Sequence, residues 1–304
     1  MEYIMHLLVF ILIYGMVALS LNVASGFTQL ISLAQAGFFG VGAYTTAILS
    51  TLFGWPLWIN LLAGVVLAGL LVWPVAFLIA RTVEDYFIIC TMGLGIVLYS
   101  LMNNWMSLTH GPMGIPGIPA PTLFGHSIMA KWEWLLFVGA SYFFMYWLVR
   151  NLKRSALGRI LVAISEDEVL CQSFGKNVGL VKLQSFVLGA MLATIPGALY
   201  AHYVSFIDPT SFKLSEAIFM LSIVIIGGMG NLWGSLLATA LVLLVPEGLR
   251  FIGLPSAIAA NVQQVLYGLA LVLVIAFRYS QTRDPKPSEG LTVDFDEAPT
   301  GFRP

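Results

Sequence analysis

Residues 4–24 read IMHLLVFILIYGMVALSLNVA, a run without Asp, Glu, Lys or Arg. A helix rises about 1.5 Å per residue, so about 20 apolar residues cross the hydrocarbon core of a bilayer. The charge-free stretch extends well beyond this run, because Arg81 is the next charged residue after Glu2. Comparable runs predict further spans near 28–50, 57–80, 86–106, 132–149, 183–204 and 257–277. The sequence therefore predicts an all-α, polytopic bundle of transmembrane helices with about eight or nine spans.

The composition excludes several other classes of protein. Of the 304 residues, 59% are hydrophobic and only 10% are charged, against roughly 25% charged in soluble domains. A net charge of −1 leaves no basic face for nucleic acid. Cys90 lies in an apolar run and Cys171 in a polar segment, which argues against a disulfide framework. The sequence has no Gly-x-x-x-x-Gly-Lys-Ser/Thr loop, so any ATP hydrolysis is expected of another chain.

The distribution of Lys and Arg predicts the orientation. Six of the 14 basic residues lie in 150–182, and the loop 107–131 has only Lys131. We therefore expect 150–182 to be cytoplasmic and 107–131 to be external. Counting spans places the N-terminus outside and the C-terminus inside. Residues 1–278 form the predicted membrane domain, and 279–304 form a polar, Pro-containing cytoplasmic tail that we expect to be disordered.

The segment 214–245 is too long for one ordinary span. It is interrupted by a glycine cluster that contains Gly227, Gly228 and Gly230. The preceding span 183–204 runs outward, and the following span 257–277 must run inward to leave the tail inside. Both ends of 214–245 are therefore expected outside, so the segment is either two short crossings or a re-entrant hairpin. Broken backbone at membrane depth is tolerated only against protein or a water-filled cavity. The interruption therefore predicts a position beside a translocation path, with a plain tight turn as the alternative.

The predicted spans carry no charged residue at their centres. Ion-coupled carriers commonly use such charges, so their absence disfavours a stand-alone secondary carrier. A membrane-embedded enzyme is disfavoured too, because the four histidines lie on separate segments without a nucleophile–base pair. No metal site is predicted. Neutral polar residues are the candidates for lining a path, although a hydrogen bond between helices explains each equally well. The candidates are Asn22, Gln29, Ser32, Gln35 and Asn103, together with the three glycines above.

Two further clusters have a predicted structural role. The second span has small residues at Ala36, Gly37, Gly40, Gly42 and Ala43, which allow helix backbones to approach closely. Glycine and proline in the external loop 109–119 exclude a helix there. This loop either docks an external partner or only connects two spans. Its candidate docking residues are His110, Gly111, Pro112 and Gly114.

The basic segment 150–182 contains two helical signals. An apolar stripe with i, i+3, i+4, i+7 spacing runs from Leu157 to Ile164. Ser165 and Glu168 then have the spacing of a capping box, with Ile164 and Val169 as a hydrophobic staple. Gly175 fits the left-handed position that ends a helix. These features predict a short helix at 166–174 whose apolar residues need a partner surface or fold back on the membrane domain. The candidate residues are Ser165, Glu166, Asp167, Glu168, Leu170, Cys171, Phe174 and Gly175.

Four blocks of sequence together resemble the LivM-like branched-chain amino-acid permeases of ABC importers. The blocks are GFTQLISLAQAGFFGVGAY at 26–44, GPMGI at 111–115, SALGR at 155–159 continuing to Gly175, and IIGGMGNLWG at 225–234. The resemblance implies a permease subunit in a bacterial-type inner membrane, surrounded by membrane lipid. It also implies a homologous LivH-like permease, two cytoplasmic subunits that bind ATP and Mg, and an extracytoplasmic substrate-binding protein. No cofactor is expected on this chain.

In such importers a cytoplasmic coupling helix enters a groove on the ATPase, and 166–174 is the matching stretch. This chain departs from the family pattern at two places in the first block. Gln35 replaces the usual His, and Gln29-Leu30 replaces the usual Gly-Gln pair. If these positions face the path, the substrate can differ from leucine, isoleucine and valine. Related systems carry other amino acids, urea or short amides.

Overall fold

The computed structural model describes residues 2–79, 84–123 and 126–251, and the isolated positions 265, 268, 269 and 272. The tail 279–304 lies outside the described residues, as does the predicted span 257–277 apart from those four positions. The helices are α1 (Glu2–Leu21), α2 (Gln35–Leu52), α3 (Leu57–Ile79), α4 (Glu84–Asn104), α5 (Met106–Thr109), α6 (Lys131–Arg154), α7 (Ala156–Glu166), α8 (Glu168–Ser173), α9 (Val178–Val204), α10 (Leu214–Gly227) and α11 (Leu232–Phe251).

Long apolar helices dominate the described part of the chain. Four of them are long and apolar enough to cross a membrane: α1 with its extension to Gly26, α4, α6 and α9. The helices α3, α10 and α11 contribute shorter apolar stretches. The predicted helical class is therefore confirmed, whereas the number of spans stays a prediction.

The centre of the bundle is formed by α1, α2 and α9. More than half of the apolar windows of α1 and α9 is buried, against less than a quarter for α4 and α6. Helix α9 packs against α2, α3 and α1. At Gly42 a Cβ atom would collide with the backbone of Thr194, so the two helices approach backbone to backbone. The predicted packing role of the small residues in the second span is confirmed at this position.

The predicted start of the second span, residue 28, is wrong. A π-helix (Asn22–Gly26) extends α1, and α2 begins only at Gln35. The backbone between them is not helical, and Gln29 has a positive φ of 58°. Side-chain hydroxyls accept from buried main-chain amides of this break: Ser25 Oγ accepts from the N–H of Ser32 (3.1 Å). The prediction from apolar composition therefore started this helix too early, because composition does not reveal local hydrogen bonds between side chains and the backbone.

Helices α10 and α11 form a hairpin joined by the turn 228–231. The interruption lies at the predicted glycine cluster, but the second helix runs to Phe251 instead of 245. The two helices approach closely at their connected ends, since a Cβ at Gly227 would lie 2.6 Å from the carbonyl oxygen of Gly234. Whether this hairpin crosses the membrane twice or re-enters it stays a prediction.

The loops after α4 and α9 contain the only strands of the described ranges, each of two residues. These strands are β1 (Ile115–Pro116), β2 (Thr122–Leu123), β3 (His126–Ser127) and β4 (Phe206–Ile207). Antiparallel pairing joins β1 to β4 and β2 to β3. The prediction that 109–119 has no helix is wrong for Gly111–Met113, which form one turn of 3-10 helix. Proline tolerates this turn because its fixed φ suits a first helical position.

Candidate functional site

A polar cavity lies at the end of the bundle where α6 and α7 meet the turn 228–231. Its volume is about 910 Å³. We call it the basic cavity, because its wall includes Arg150, Lys153, Arg154 and Arg159, with Glu166 as its one acidic residue. The other walls come from the break after α1 and from the start of α11. The cavity thus brings together three segments that the sequence analysis singled out separately.

Both the N–H and the carbonyl oxygen of Gly230, which lines this cavity, form hydrogen bonds to side chains. Its N–H donates to Oδ1 of Asn22 (2.7 Å), and its carbonyl oxygen accepts from Nζ of Lys153 (2.6 Å). Nδ2 of Asn22 also donates to Oγ of Ser235 (2.6 Å) in α11. We call this group of four residues the Gly230 joint. It connects α1, α6 and the α10–α11 hairpin through hydrogen bonds.

The local backbone explains why the joint can form. The π-turn Asn22–Gly26 brings Gly26 against the turn, where a Cβ would lie 2.9 Å from the nitrogen of Gly230. Gly230 itself has a φ of +78°, which side chains with a Cβ rarely adopt. Single π-turns within helices occur frequently at functional sites. The joint therefore depends on Gly26 and Gly230 and on the π-helical turn that ends α1.

The predicted path residues separate into three groups. Asn22 and Gly230 belong to the joint, Gly228 lies in its turn, and Gly227 ends α10 directly before that turn. Gln29 is exposed and lines the basic cavity. Ser32 and Gln35 are buried inside the chain. Asn103 lies apart from all of them, because its carbonyl oxygen is next to Gly111 of the loop 109–119.

Gln35 makes a polar contact between three helices. Its Nε2 donates to Oγ of Ser20 in α1 (2.6 Å) and to the carbonyl oxygen of Gly189 in α9 (3.3 Å). Its Oε1 is buried and has no hydrogen-bond partner among the described residues. A buried polar atom without a partner carries a free-energy cost of about 1–3 kcal/mol. Gln35 therefore has a hydrogen-bonding capacity that the described part of the chain leaves unused.

The predicted capping box at Ser165 is wrong. Ser165 lies inside α7 and donates to the carbonyl oxygen of Val162 (2.7 Å). Asp167 is the N-cap of α8 instead, since its Oδ1 accepts from the N–H of Leu170 (2.9 Å). Glu168 forms an ion pair with Lys182 (2.6 Å). Both Ser165 and Asp167 are good caps, and the longer apolar stripe of α7 extends that helix through Ser165.

The exposed apolar surface of α8 is narrower than the sequence indicated. Val169, Leu170 and Phe174 are 72%, 53% and 75% exposed. Cys171 packs instead in a small core with Ile164, and the predicted staple is wrong because Val169 points away from that core. Gly175 ends the segment with a φ of +73°, as predicted. Val169, Leu170 and Phe174 are the exposed large apolar side chains of the segment.

A family model described as "Branched-chain amino acid transport system / permease component" matches residues 3–275. The chain belongs to this permease family. Together with the apolar helices, the family makes the chain a multi-pass membrane protein, and a transport permease family is not a catalytic one. No solved structure matches the chain.

The permease resembles two kinds of named relative. It is 35% identical over 265 residues to the "High-affinity branched-chain amino acid transport system permease protein LivM" of Salmonella typhimurium, covering 79% of this chain and 62% of the relative. Its identity to the LivM protein of Escherichia coli is 34%, with the same coverage. The LivH permease of Escherichia coli is 24% identical, over 86% of this chain and 88% of the relative. The chain thus spans less than two thirds of the length of the two LivM proteins.

The loop 109–119 of the permease is fixed to a second loop. Ile115 pairs with Ile207 across β1 and β4, and a Cβ at Gly114 would collide with the carbonyl oxygen of Ile207. Gly111 and Gly114 are buried, whereas His110 and Pro112 are exposed. The loop therefore presents a small surface on a supported backbone. Within the described residues, no group of three His, Cys, Asp or Glu residues could hold a metal ion.

Lys153 is the residue of the site that sequence reasoning missed. The sequence placed it only among six basic residues that mark an orientation. Its ammonium lies 5.7 Å from the centre of the Phe27 ring, within reach of a cation–π interaction. No local pattern links position 153 to positions 27 and 230, so this contact required the tertiary structure.

Proposed function

We propose that the chain is one of two permease subunits of an ATP-driven importer for branched-chain or other hydrophobic amino acids. The observation that carries this proposal is the Gly230 joint at the end of α6, from which α7 leads to the exposed, capped helix α8. The names of the LivM and LivH relatives support the substrate class. A LivH-like permease would be the second subunit, and the substrate would pass between the two. This chain would carry no catalytic residues and no cofactor.

The basic end of the bundle faces the cytoplasm in this proposal. The end of α6, the helix α7 and the turn 228–231 surround one cavity whose described lining residues include four cations. Basic residues accumulate on the cytoplasmic side of membrane proteins. In an inner membrane, this orientation places the N-terminus and the loop 107–131 outside and the C-terminus inside. The exposed Pro112 side of the external loop would then meet an extracytoplasmic binding protein.

The ATPase partner would contact α8. Val169, Leu170 and Phe174 form an exposed apolar surface on a short helix, and two cytoplasmic ATP-binding subunits with ATP and Mg would supply the groove. Motion of α8 would reach the membrane through α7, whose Arg159 donates to the carbonyl oxygen of Arg154 at the end of α6 (2.9 Å). Lys153, next to Arg154, then connects this end to Gly230.

The path would run beside the two breaks in the helical backbone. The break at 27–34 and the turn 228–231 meet at Gly26 and Gly230, and broken backbone is tolerated against protein or a water-filled cavity. Gln29 would face this path in the present structure. Ser32 and Gln35 would reach it only if the helices around them moved, and Asn103 would lie near its external end.

Reconstitution of the whole complex tests the proposal. The chain is co-expressed with its LivH-like, ATP-binding and substrate-binding partners, and uptake of labelled leucine into proteoliposomes is measured with and without ATP. We expect uptake to require ATP and every partner. Competition with a panel of amino acids, urea and short amides then identifies the substrate class. Uptake by this chain alone, driven by an ion gradient without ATP, would overturn the proposal in favour of a secondary carrier.

A further inference from the structure

We propose that the basic cavity binds the phosphate headgroup of an anionic phospholipid. Three arginines carry the argument: Arg150, Arg154 and Arg159. All three line the cavity, and none of them forms an ion pair within the described residues. Arginine presents a planar set of donors that matches phosphate oxygens in a bidentate geometry. Basic pockets between transmembrane helices on the cytoplasmic side are suited to such headgroups.

The positions of the three arginines are unfavourable without an anion. Arg150 and Arg154 are four residues apart on α6, and like charges at this spacing destabilise a helix. The negative end of the α6 dipole offsets part of this repulsion. Arg159, however, lies in the first turn and a half of α7, close to the positive end of that helix dipole. Glu166 is the acidic residue that lines the cavity, and it forms no ion pair with Arg159 within the described residues. The placement of Arg159 therefore favours a further negative partner.

The fourth cation of the cavity is already engaged. Lys153 donates to Gly230 and lies over the ring of Phe27. Arg159 uses one Nη1–H on the carbonyl oxygen of Arg154, which leaves most of its five donors free. The anion would therefore meet the guanidinium groups and leave the Gly230 joint unchanged. A volume of about 910 Å³ is in the range of ligand pockets, about 300–1,000 Å³.

An apolar strip that leaves the cavity favours a lipid over a soluble phosphate. Trp233 lines the cavity and its ring lies 5.3 Å from that of Tyr146. Trp and Tyr are enriched at the level of the headgroups. From Trp233 an exposed stripe continues along one face of α11 through Leu237, Leu241 and Leu244. The headgroup would occupy the cavity while an acyl chain follows this stripe.

Native mass spectrometry of the purified full-length chain tests the site. The chain is exposed to phosphatidylglycerol or to zwitterionic phosphatidylcholine, and the retained lipid is counted. We expect selective retention of phosphatidylglycerol, reduced about fivefold in the Arg159→Gln variant, since each basic residue near a membrane surface contributes on the order of 1 kcal/mol. The variant with all three arginines replaced by Gln should retain no phosphatidylglycerol above the phosphatidylcholine level. Lys176→Gln is the matched control, because Lys176 is basic, exposed and in the same segment but does not line this cavity.

Four outcomes would overturn the proposal. The first is equal retention of the two lipids, and the second is an equal loss in the Lys176→Gln control. The third is an equal rise in the melting temperature of the chain with inorganic phosphate and with phosphatidylglycerol. That result would assign the cavity to a soluble anion. The fourth is loss of the lipid when the partner subunits are bound, which assigns the arginines to a protein contact. Because no arm measures transport, failure of the lipid site leaves the proposed importer function untouched, and the reverse also holds.

Discussion

Nζ of Lys153 donates a hydrogen bond of 2.6 Å to the carbonyl oxygen of Gly230. Lys153 lies in the last turn of α6, directly before the segment that contains α7 and α8, whereas Gly230 lies in the turn of the α10–α11 hairpin. The two residues are separated by 77 positions in the chain. One charge-assisted bond therefore connects the segment proposed to meet the ATPase with the hairpin proposed to border the path.

Replacement of Lys153 by Met should uncouple ATP hydrolysis from uptake. A hydrogen bond to a charged group contributes about 1.5–3 kcal/mol, so we expect the substrate moved per ATP hydrolysed to fall by about tenfold or more. Lys153→Arg retains a cation and should keep part of the coupling. The ratio is measured in proteoliposomes that contain the complete complex. Lys176→Met is the control. An unchanged ratio in Lys153→Met would contradict the proposed role of the bond between Lys153 and Gly230 in coupling.

Replacement of Asn22 by Leu should destabilise the protein through the same joint. Asn22 is fully buried, and its loss leaves the N–H of Gly230 without its acceptor. An orphaned buried group costs about 1–3 kcal/mol, so the melting temperature in detergent should fall by about 3 °C or more. Asn104→Leu serves as the control, because Asn104 is exposed and bonds only within its own helix. Equal melting temperatures for the two variants would contradict this role of Asn22.

Gly42→Ala should strongly reduce the folded yield. The added Cβ would collide with the backbone of Thr194, and overpacking of this kind costs about 1–3 kcal/mol or more because the two helices must separate. Gly93→Ala is the matched control on α4, where nothing lies within 4 Å of the new Cβ. Fluorescence-detected size-exclusion chromatography compares the two yields. A normal peak for Gly42→Ala would show that α2 and α9 are not held at this distance.

Gly175→Val should impair coupling without disturbing the membrane domain. Nothing lies within 4 Å of a Cβ at this position, so the effect comes from the backbone, whose φ of +73° a β-branched residue strongly resists. Gly175→Asn should behave almost normally, because Asn tolerates the left-handed region. Substrate moved per ATP is compared for both variants at equal amounts of complex. A normal ratio of substrate moved to ATP hydrolysed in Gly175→Val would contradict the proposed role of α8 in coupling.

Gln35→His should change the substrate preference if this position borders the path. Gln35 contacts Ser20 and Gly189 and has a free acceptor atom, and histidine offers a different set of donors and acceptors. The competition profile of leucine uptake against the panel of amino acids and amides is the measurement. Thr51→Ser, far along α2, is a control for general effects on that helix. An unchanged profile would leave Gln35 as a contact between helices.

The sequence predicted the helical class, because charge-free runs longer than a bilayer core leave few alternatives. It also located the interruption of 214–245, since Gly227 and its neighbours cannot continue a regular helix at low cost. It failed at the start of α2. Three polar residues, Thr28, Ser32 and Gln35, are too few to lower the mean hydropathy of this stretch. Hydroxyl groups nevertheless accept hydrogen bonds from the main-chain N–H groups of its non-helical backbone.

The cap of α8 shows a second limit of local reasoning. Ser165 and Asp167 are both suitable N-caps, and the choice between them depends on how far α7 continues. Packing of Leu161 and Ile164 settles that length, so the boundary is decided by tertiary structure. The contact between Lys153 and Gly230 lies further beyond local reasoning, because nothing near either residue in the sequence indicates the other.

On the hairpin side, Gly230 takes part in the joint through main-chain atoms and Ser235 through its hydroxyl group. Every residue has an N–H and a carbonyl except proline, which lacks the N–H, so the donor and the acceptor of Gly230 do not depend on side-chain identity. Apart from Ser235, no described side chain of α10 or α11 is needed for the joint, so these side chains can diverge as the transported molecule changes. What selection must keep at this point is small size and backbone shape. Specificity and energy transfer can then evolve almost independently in this chain.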